Sequence, residues 1–199
     1  MPSSLPRLIL VTDRRATDRD LLEVVEAALG AGLPAVQLRE KDLPGRPLLA
    51  LAERLRAATA RTGALLFVND RIDVALAAGA DGVQLGTGSV PVDVARRLLP
   101  AGTLIGVSTH APGEAPAGAD FALFGPVWAT PSKTGAQGED RLREAVRAAA
   151  IPVLAIGGVT AERIAAARAA GAAGVAVIRA ILAAPDPRTA TRALLAALD

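Results

Sequence analysis

Short apolar runs recur along the chain, each closed by a glycine, a proline or a polar residue and followed by a longer patterned or polar stretch. Apolar runs of roughly four to six residues bounded by turn formers suit buried parallel strands, while apolar positions three and four apart suit helices. The runs fall at residues 7–12, 34–39, 64–69, 82–85, 103–107, 120–125, 152–156 and 174–178, and Leu21, Leu22, Val25 and Leu29 mark the first helix. Eight strands alternating with helical or loop segments predict an α/β TIM barrel, (βα)8, as a single domain over residues 1–199. An internal echo supports that pattern. Ala31-Gly32 precedes Val36-Gln37-Leu38, Ala78-Gly79 precedes Val83-Gln84-Leu85, and Ala170-Gly171 precedes Val175-Ala176-Val177, each a helix end, a glycine cap and the start of a strand. An open doubly wound sheet uses the same units and is the lesser reading.

Composition narrows the function classes. A chain of 199 residues, 51% hydrophobic, can bury one large core, and no shift in composition marks a second domain. It has no cysteine, which excludes disulfides and thiolate chemistry. The amino terminus lacks a basic leader before an apolar stretch, and no apolar run approaches the ~20 residues that span a bilayer. The expectation is a cytoplasmic protein with no membrane partner; whether it forms a homo-oligomer stays open. The net charge of +2 is spread over isolated arginines and arginine pairs, with almost no aromatics to stack on bases, so nucleic acid is not an expected partner.

A barrel places function at the C-terminal ends of its strands, and the rare residue types gather there. Both lysines follow strand ends, Lys41 the second and Lys133 the sixth. The sole asparagine, Asn69, ends the third; the sole histidine, His110, follows the fifth; and the sole tryptophan, Trp128, follows the sixth. Within Gln37-Leu38-Arg39-Glu40-Lys41, alternation sends Gln37, Arg39 and Lys41 toward the barrel mouth and Leu38 and Glu40 toward the helices, a grouping that suits an anionic substrate. The plainer reading pairs Arg39 or Lys41 with Glu40. Asp70 suits either a Mg2+ ligand shared with substrate phosphates or a helix N-cap. Thr130-Pro131-Ser132-Lys133-Thr134-Gly135 combines hydroxyls, a cation and permissive backbone as an anion clamp, and residues 130–138 are long enough for a lid that ligand orders. Ser108 and His110 add polar groups, but one histidine and no cysteine make a zinc site improbable. Gly157-Gly158 after the seventh strand offers bare backbone amides for a phosphate, with Thr160 to cap the next helix and Glu162 in its first turn; a simple tight turn is the alternative.

These motifs, with Gly106-Val107-Ser108-Thr109-His110, Gly125-Pro126-Val127, Ile156-Gly157-Gly158-Val159 and Ala173-Gly174-Val175-Ala176-Val177-Ile178, resemble in order and spacing the thiamine phosphate synthase and thiazole tautomerase superfamily. The resemblance implies a (βα)8 enzyme that couples a hydroxymethylpyrimidine diphosphate to a phosphorylated thiazole with release of pyrophosphate, using Mg2+. It implies catalytic roles for Arg39, Lys41 and Lys133, and substrate binding by Gln37, Asn69, Ser108, His110, Thr130, Ser132, Gly157, Gly158 and Ile178. Asp70 is implied as the metal ligand. The chain departs from the family pattern at Ser89, where the synthases usually carry a second acidic ligand, and at Gln84, where they tend to carry histidine. The tautomerase branch would need a histidine where Pro126 stands. Tautomerase activity and non-catalytic binding of a thiamine precursor are the alternative functions.

Overall fold

The computed structural model describes residues 5–130 and 135–199. Its strands are β1 (Leu8–Val11), β2 (Ala35–Leu38), β3 (Leu65–Asn69), β4 (Gly82–Leu85), β5 (Leu104–Thr109), β6 (Phe121–Phe124), β7 (Val153–Ile156) and β8 (Gly174–Val177). All run parallel in chain order, and β8 pairs back onto β1 to close the barrel, which excludes the open-sheet reading. Strand β5 runs two residues beyond its expected end, because Ser108 and Thr109 continue the pairing with Leu123 and Phe124.

Around the barrel lie α1 (Leu21–Leu29), α2 (Gly45–Thr62), α3 (Ile72–Ala78), α4 (Val92–Leu98), α5 (Gly138–Ala148), α6 (Ala161–Ala169), α7 (Arg179–Leu182) and α8 (Pro187–Leu198). No helix forms between β5 and β6, where prolines and glycines interrupt residues 110–120. None of the helices among the described residues is long and apolar enough to cross a membrane.

Parallel strands covered by helices are apolar on both faces. One face of each strand packs against the helices, with Leu8, Leu10, Val36, Leu38, Leu66, Val68 and Val83 joining the helical side chains. The other fills the barrel axis with Ile9, Val11, Ala35, Phe67, Phe121, Leu123, Leu154 and Ala176. Phe67 and Phe121 meet edge to face there, with ring centroids 5.5 Å apart. Two glycines make room for them. A Cβ on Gly82 would lie 2.6 Å from the Phe67 ring, and one on Gly106 would overlap both Phe121 and Gln84.

The N-terminal end of the barrel repeats one device. Asp81 accepts the backbone N–H of Leu66 and a hydrogen bond from Arg56 of α2, and Asp120 accepts the N–H of Ile105 and a hydrogen bond from Arg96 of α4. Each aspartate precedes a strand and ties it to the neighbouring strand and to a helix at once.

Replacing Gly106 by Ala should destabilise the protein by about 1–3 kcal/mol, the usual range for overpacking a filled core. Urea unfolding would show this as a lower midpoint with an unchanged slope; an unchanged midpoint would mean that the barrel axis has slack.

Candidate active site

At the C-terminal ends of the strands lies a cleft of about 750 Å3. Gln37, Arg39, Lys41, Asn69, Asp70, Ser108, His110, Thr130, Gly157, Gly158 and Ile178 all line it. Sequence positions spread over more than 140 residues are thus brought to one mouth, as strand ends in a closed barrel require. Ser132, Lys133 and the middle of the expected lid fall outside the described residues.

The β2 end behaves as alternation predicts. Gln37 is buried facing the mouth, Arg39 and Lys41 face the cleft, and Glu40 points away. The plainer alternative, an ion pair of Glu40 with Arg39 or Lys41, is not formed. Glu40, with its side chain only 2% exposed, instead accepts the backbone N–H of Arg14 at 3.1 Å and the Arg14 guanidinium at 3.0 Å. Asp42 then holds Arg14 and Arg15 together, and its carboxyl lies well below the ordinary aspartate range, chiefly through the hydrogen bond from Arg14 and next through that from Arg15. With both acidic neighbours occupied, neither Arg39 nor Lys41 has an ion-pair partner among the described residues. Their charge is left for a ligand. The Arg39 backbone N–H donates to buried Thr12 Oγ1 at 2.9 Å, which fixes the strand end against β1.

Asp70 is not a helix cap. Arg71 occupies the cap position of α3 without a side-chain cap bond, while the Asp70 carboxylate turns across to β4. There it accepts the Gly86 N–H at 3.0 Å, a hydrogen bond from Ser89 Oγ, and the Asn69 amide at 2.6 Å. Asp70 holds a left-handed φ of 60°, a conformation that aspartate tolerates better than most residues. Ser89 therefore stands beside Asp70, where a second carboxylate would meet the first. No group of three or more acidic or histidine side chains that could hold a metal occurs among the described residues.

The mouth is polar on one side and apolar on the other. Across β2 to β5, Gln37 donates to Asn69 at 3.4 Å and Gln84 to Ser108 at 3.2 Å. Across β6, β7, β8 and β1, Leu123, Ile156, Ile178 and Val11 line the same cleft. A flat heteroaromatic ring with polar edges fits such a wall pair. His110 reaches back to the Gly125 carbonyl through Nδ1 at 2.6 Å. Glu114 accepts the N–H groups of His110 and Ala111, which lower its carboxyl pKa in that order and steady the loop after β5.

The glycine pair is both a tight turn and a cleft wall. Gly157 and Gly158 have φ of 94° and 65°. A Cβ on Gly157 would lie 2.5 Å from Pro126 and one on Gly158 2.7 Å from Trp128, so the turn presses directly on the segment after β6. That segment continues the barrel pairing past the strands, with the Val127 N–H donating to Ile156 and the Trp128 N–H to Gly157. Thr160 sits at the cap position of α6 but makes no side-chain bond to the helix amides. Its hydroxyl serves the carboxylate of Glu162, which lies in the first turn as expected. Sequence reasoning did not single out Arg163 or Arg14. Arg163 lines the cleft, lies 5.6 Å over the Trp128 ring and donates to the Gly158 carbonyl at 2.6 Å. Its position on the first turn of the helix after the glycine pair was the available signal. Arg14 meets Glu40 across 26 positions of sequence, a distance no local spacing reveals.

Two cations without ion-pair partners among the described residues, a carboxylate and a glycine turn at the C-terminal mouth of a parallel barrel define an enzyme that handles phosphorylated small molecules. Comparison with known proteins makes this particular. Residues 8–181 match the family model described as thiamine monophosphate synthase, and the chain belongs to that family. A relative from Geobacter sulfurreducens is 57% identical over 96% of this chain and 93% of its own length. The thiamine-phosphate synthase of Roseiflexus castenholzii is 45% identical over 97% of this chain and 88% of its own. Among solved structures, the thiamine phosphate pyrophosphorylase of Pyrococcus furiosus superposes with a TM-score of 0.88 at 38% identity, covering 96% of this chain and 95% of that one.

The Arg14–Asp42 clamp has a pH signature. Asp42 titrates lower folded than unfolded, so its contribution is complete above an unfolded aspartate's pKa of about 4 and is lost as pH falls through the folded value. The melting-temperature difference between wild type and Asp42→Asn should therefore be largest above about pH 4 and shrink below it. A difference that is flat with pH would show that the clamp does not contribute through its charge.

Proposed function

We infer that this chain is a thiamine-phosphate synthase, a transferase that joins a hydroxymethylpyrimidine diphosphate to a thiazole phosphate and releases pyrophosphate. The observation that carries the reading is the pair of cations, Arg39 and Lys41, without ion-pair partners among the described residues and facing the same cleft as Asp70. The glycine turn at β7 lies three strands from β2 round the barrel, by way of β1 and β8. A cleft with two anion-binding ends suits two phosphorylated substrates.

The reaction breaks the bond between the pyrimidine methylene and the diphosphate oxygen, and the electron pair leaves with pyrophosphate. The thiazole nitrogen then donates its lone pair to the methylene carbon, so no proton has to be removed by the protein. Catalysis consists of neutralising the leaving group and positioning the nucleophile. Arg39 can fork onto diphosphate oxygens and Lys41 can follow the departing charge. Thr130, which lines the cleft, and Ser132 and Lys133, which lie outside the described residues, are assigned to the same clamp on the family resemblance of the sequence that follows β6. Gln37, Asn69 and Ser108 give the pyrimidine a polar edge, and Leu123, Ile156 and Ile178 give the rings an apolar wall. Gly157 and Gly158 take the thiazole phosphate.

Mg2+ fits Asp70 as a shared ion rather than a caged one. A single carboxylate, with a serine where a second would stand, suits a metal that takes most of its oxygens from diphosphate and water. When bound, the ion neutralises the diphosphate as it departs. The side chain of Asp70 is already aimed by Asn69, Gly86 and Ser89, so its own contribution is preset.

Purified protein given both substrates and Mg2+ should form thiamine phosphate. Asp70→Asn should reduce coupling by at least about a hundredfold, the scale of losing one preorganised charge contact. Ser89→Asp should lower the Mg2+ concentration that gives half-maximal rate. Absence of thiamine phosphate at every Mg2+ level, with isomerisation of a thiazole carboxylate phosphate instead, would overturn the synthase reading in favour of a tautomerase.

A further inference from the structure

The functional reading leaves two cleft-lining cations without a task, Arg179 and Arg163, and of the two it is Arg163 whose side chain is held in place by a hydrogen bond among the described residues. Arg163 is exposed, sits on the first turn of α6, and is held from two directions. One guanidinium nitrogen, Nη1, donates to the Gly158 carbonyl at 2.6 Å, and the guanidinium lies 5.6 Å over the Trp128 ring. Arg163 makes no ion pair among the described residues, although Glu162 is its neighbour in sequence. An arginine carries five N–H donors in a rigid fork, and one hydrogen bond plus a stacked face leaves several of them available. An arginine stacked on an indole gives up less side-chain freedom when it binds than a free one would.

The surroundings explain why the side chain sits there. Gly158 has no Cβ, and one would collide with Trp128 and the Ala129 carbonyl. The turn can therefore approach Trp128 closely, which brings the Gly158 carbonyl and the indole ring within reach of one guanidinium. Trp128 is itself fixed by its backbone bond to Gly157 and by its indole N–H, which donates to Glu139 at 3.3 Å.

We propose that Arg163 is a specificity-determining residue for the second substrate: a cation preset by Trp128 and Gly158 to grip the phosphate lodged at the glycine turn. The proposal rests on the assignment of that turn to the thiazole phosphate. It gives the glycine end of the cleft a charge of its own, separate from the Arg39 and Lys41 end. Trp128 acts as a positioning residue, since it orders Arg163 without touching the ligand.

Steady-state kinetics of Arg163→Ala should show the KM for the thiazole phosphate raised about tenfold, the lower end for a charge-assisted hydrogen bond at an exposed site. The KM for the pyrimidine diphosphate and kcat should stay within about twofold. Arg163→Lys should recover less than half of the loss, because an ammonium cannot fork or stack as a guanidinium does. Trp128→Phe should raise the same KM by a smaller factor. Because Trp128 is the only tryptophan, its emission reports on this corner alone. Adding thiazole phosphate to the wild type in the absence of the other substrate should change that emission, and Arg163→Ala should lose the change at the same ligand concentration.

Equal rises in both KM values, full rescue by lysine, or no rise at all would overturn the proposal. If the wild type forms no thiamine phosphate, the functional reading fails first. The emission titration, run with thiazole phosphate and with inorganic phosphate, then decides Arg163 independently: a response that persists unchanged in Arg163→Ala overturns its role. Circular dichroism melting of each variant separates loss of fold from loss of grip.

Discussion

The closure of β8 onto β1 is the constraint on which everything else depends. Once the barrel is closed, each strand end has a fixed angular place around one axis, and alternation alone decides which side chains enter the mouth. Closure also demands that the axis be filled, and with only three phenylalanines in the chain the filling is done by Phe67 and Phe121 at the expense of side chains on Gly82 and Gly106. Above that plug, the interior positions turn polar on β2 to β5, so the floor of the cleft begins where the aromatic pair ends.

Charge in the mouth is organised by what it is kept away from. Glu40 and Asp42 stand beside Arg39 and Lys41 in sequence, and as free carboxylates they would cancel the cations the site needs. The loop after β1 removes both, through Arg14 and Arg15. A buried carboxylate such as Glu40 is costly unless its hydrogen bonds are met, and the backbone and guanidinium of Arg14 meet them. The same logic separates the ends of the barrel. Asp81 and Asp120 meet strand amides and helix arginines at the N-terminal end, away from the cleft, whereas Asp70 at the other end is held by neutral donors, with no cation paired to it among the described residues.

The elements were legible because their signals are local. Each strand is a compact apolar run with a glycine or polar stop, and Gly32, Gly79 and Gly171 adopt the positive φ that their place between helix and strand implies. Gln37, Arg39 and Lys41 were legible through period-two alternation. What the sequence concealed is tertiary. The partner of Glu40 lies on another strand's loop, the choice of Asp70 between capping α3 and crossing to Gly86 depends on its left-handed backbone, and the Arg163 guanidinium finds Trp128 only because the glycine turn brings α6 against the segment after β6. Thr160 shows the converse: a capping residue in a capping position, whose hydroxyl is taken by the nearby Glu162 instead.

The segment after β6 is stitched at its base on both sides. The Gln137 N–H donates to the Pro126 carbonyl and the Gly138 N–H to that of Val127, each at 2.9 Å, while Val127 itself is paired to β7. These bonds fix the start of α5 against the end of β6. The place of α5 therefore follows from the barrel itself, because its first residue is bonded to the continuation of β6 and does not depend on the chain between them.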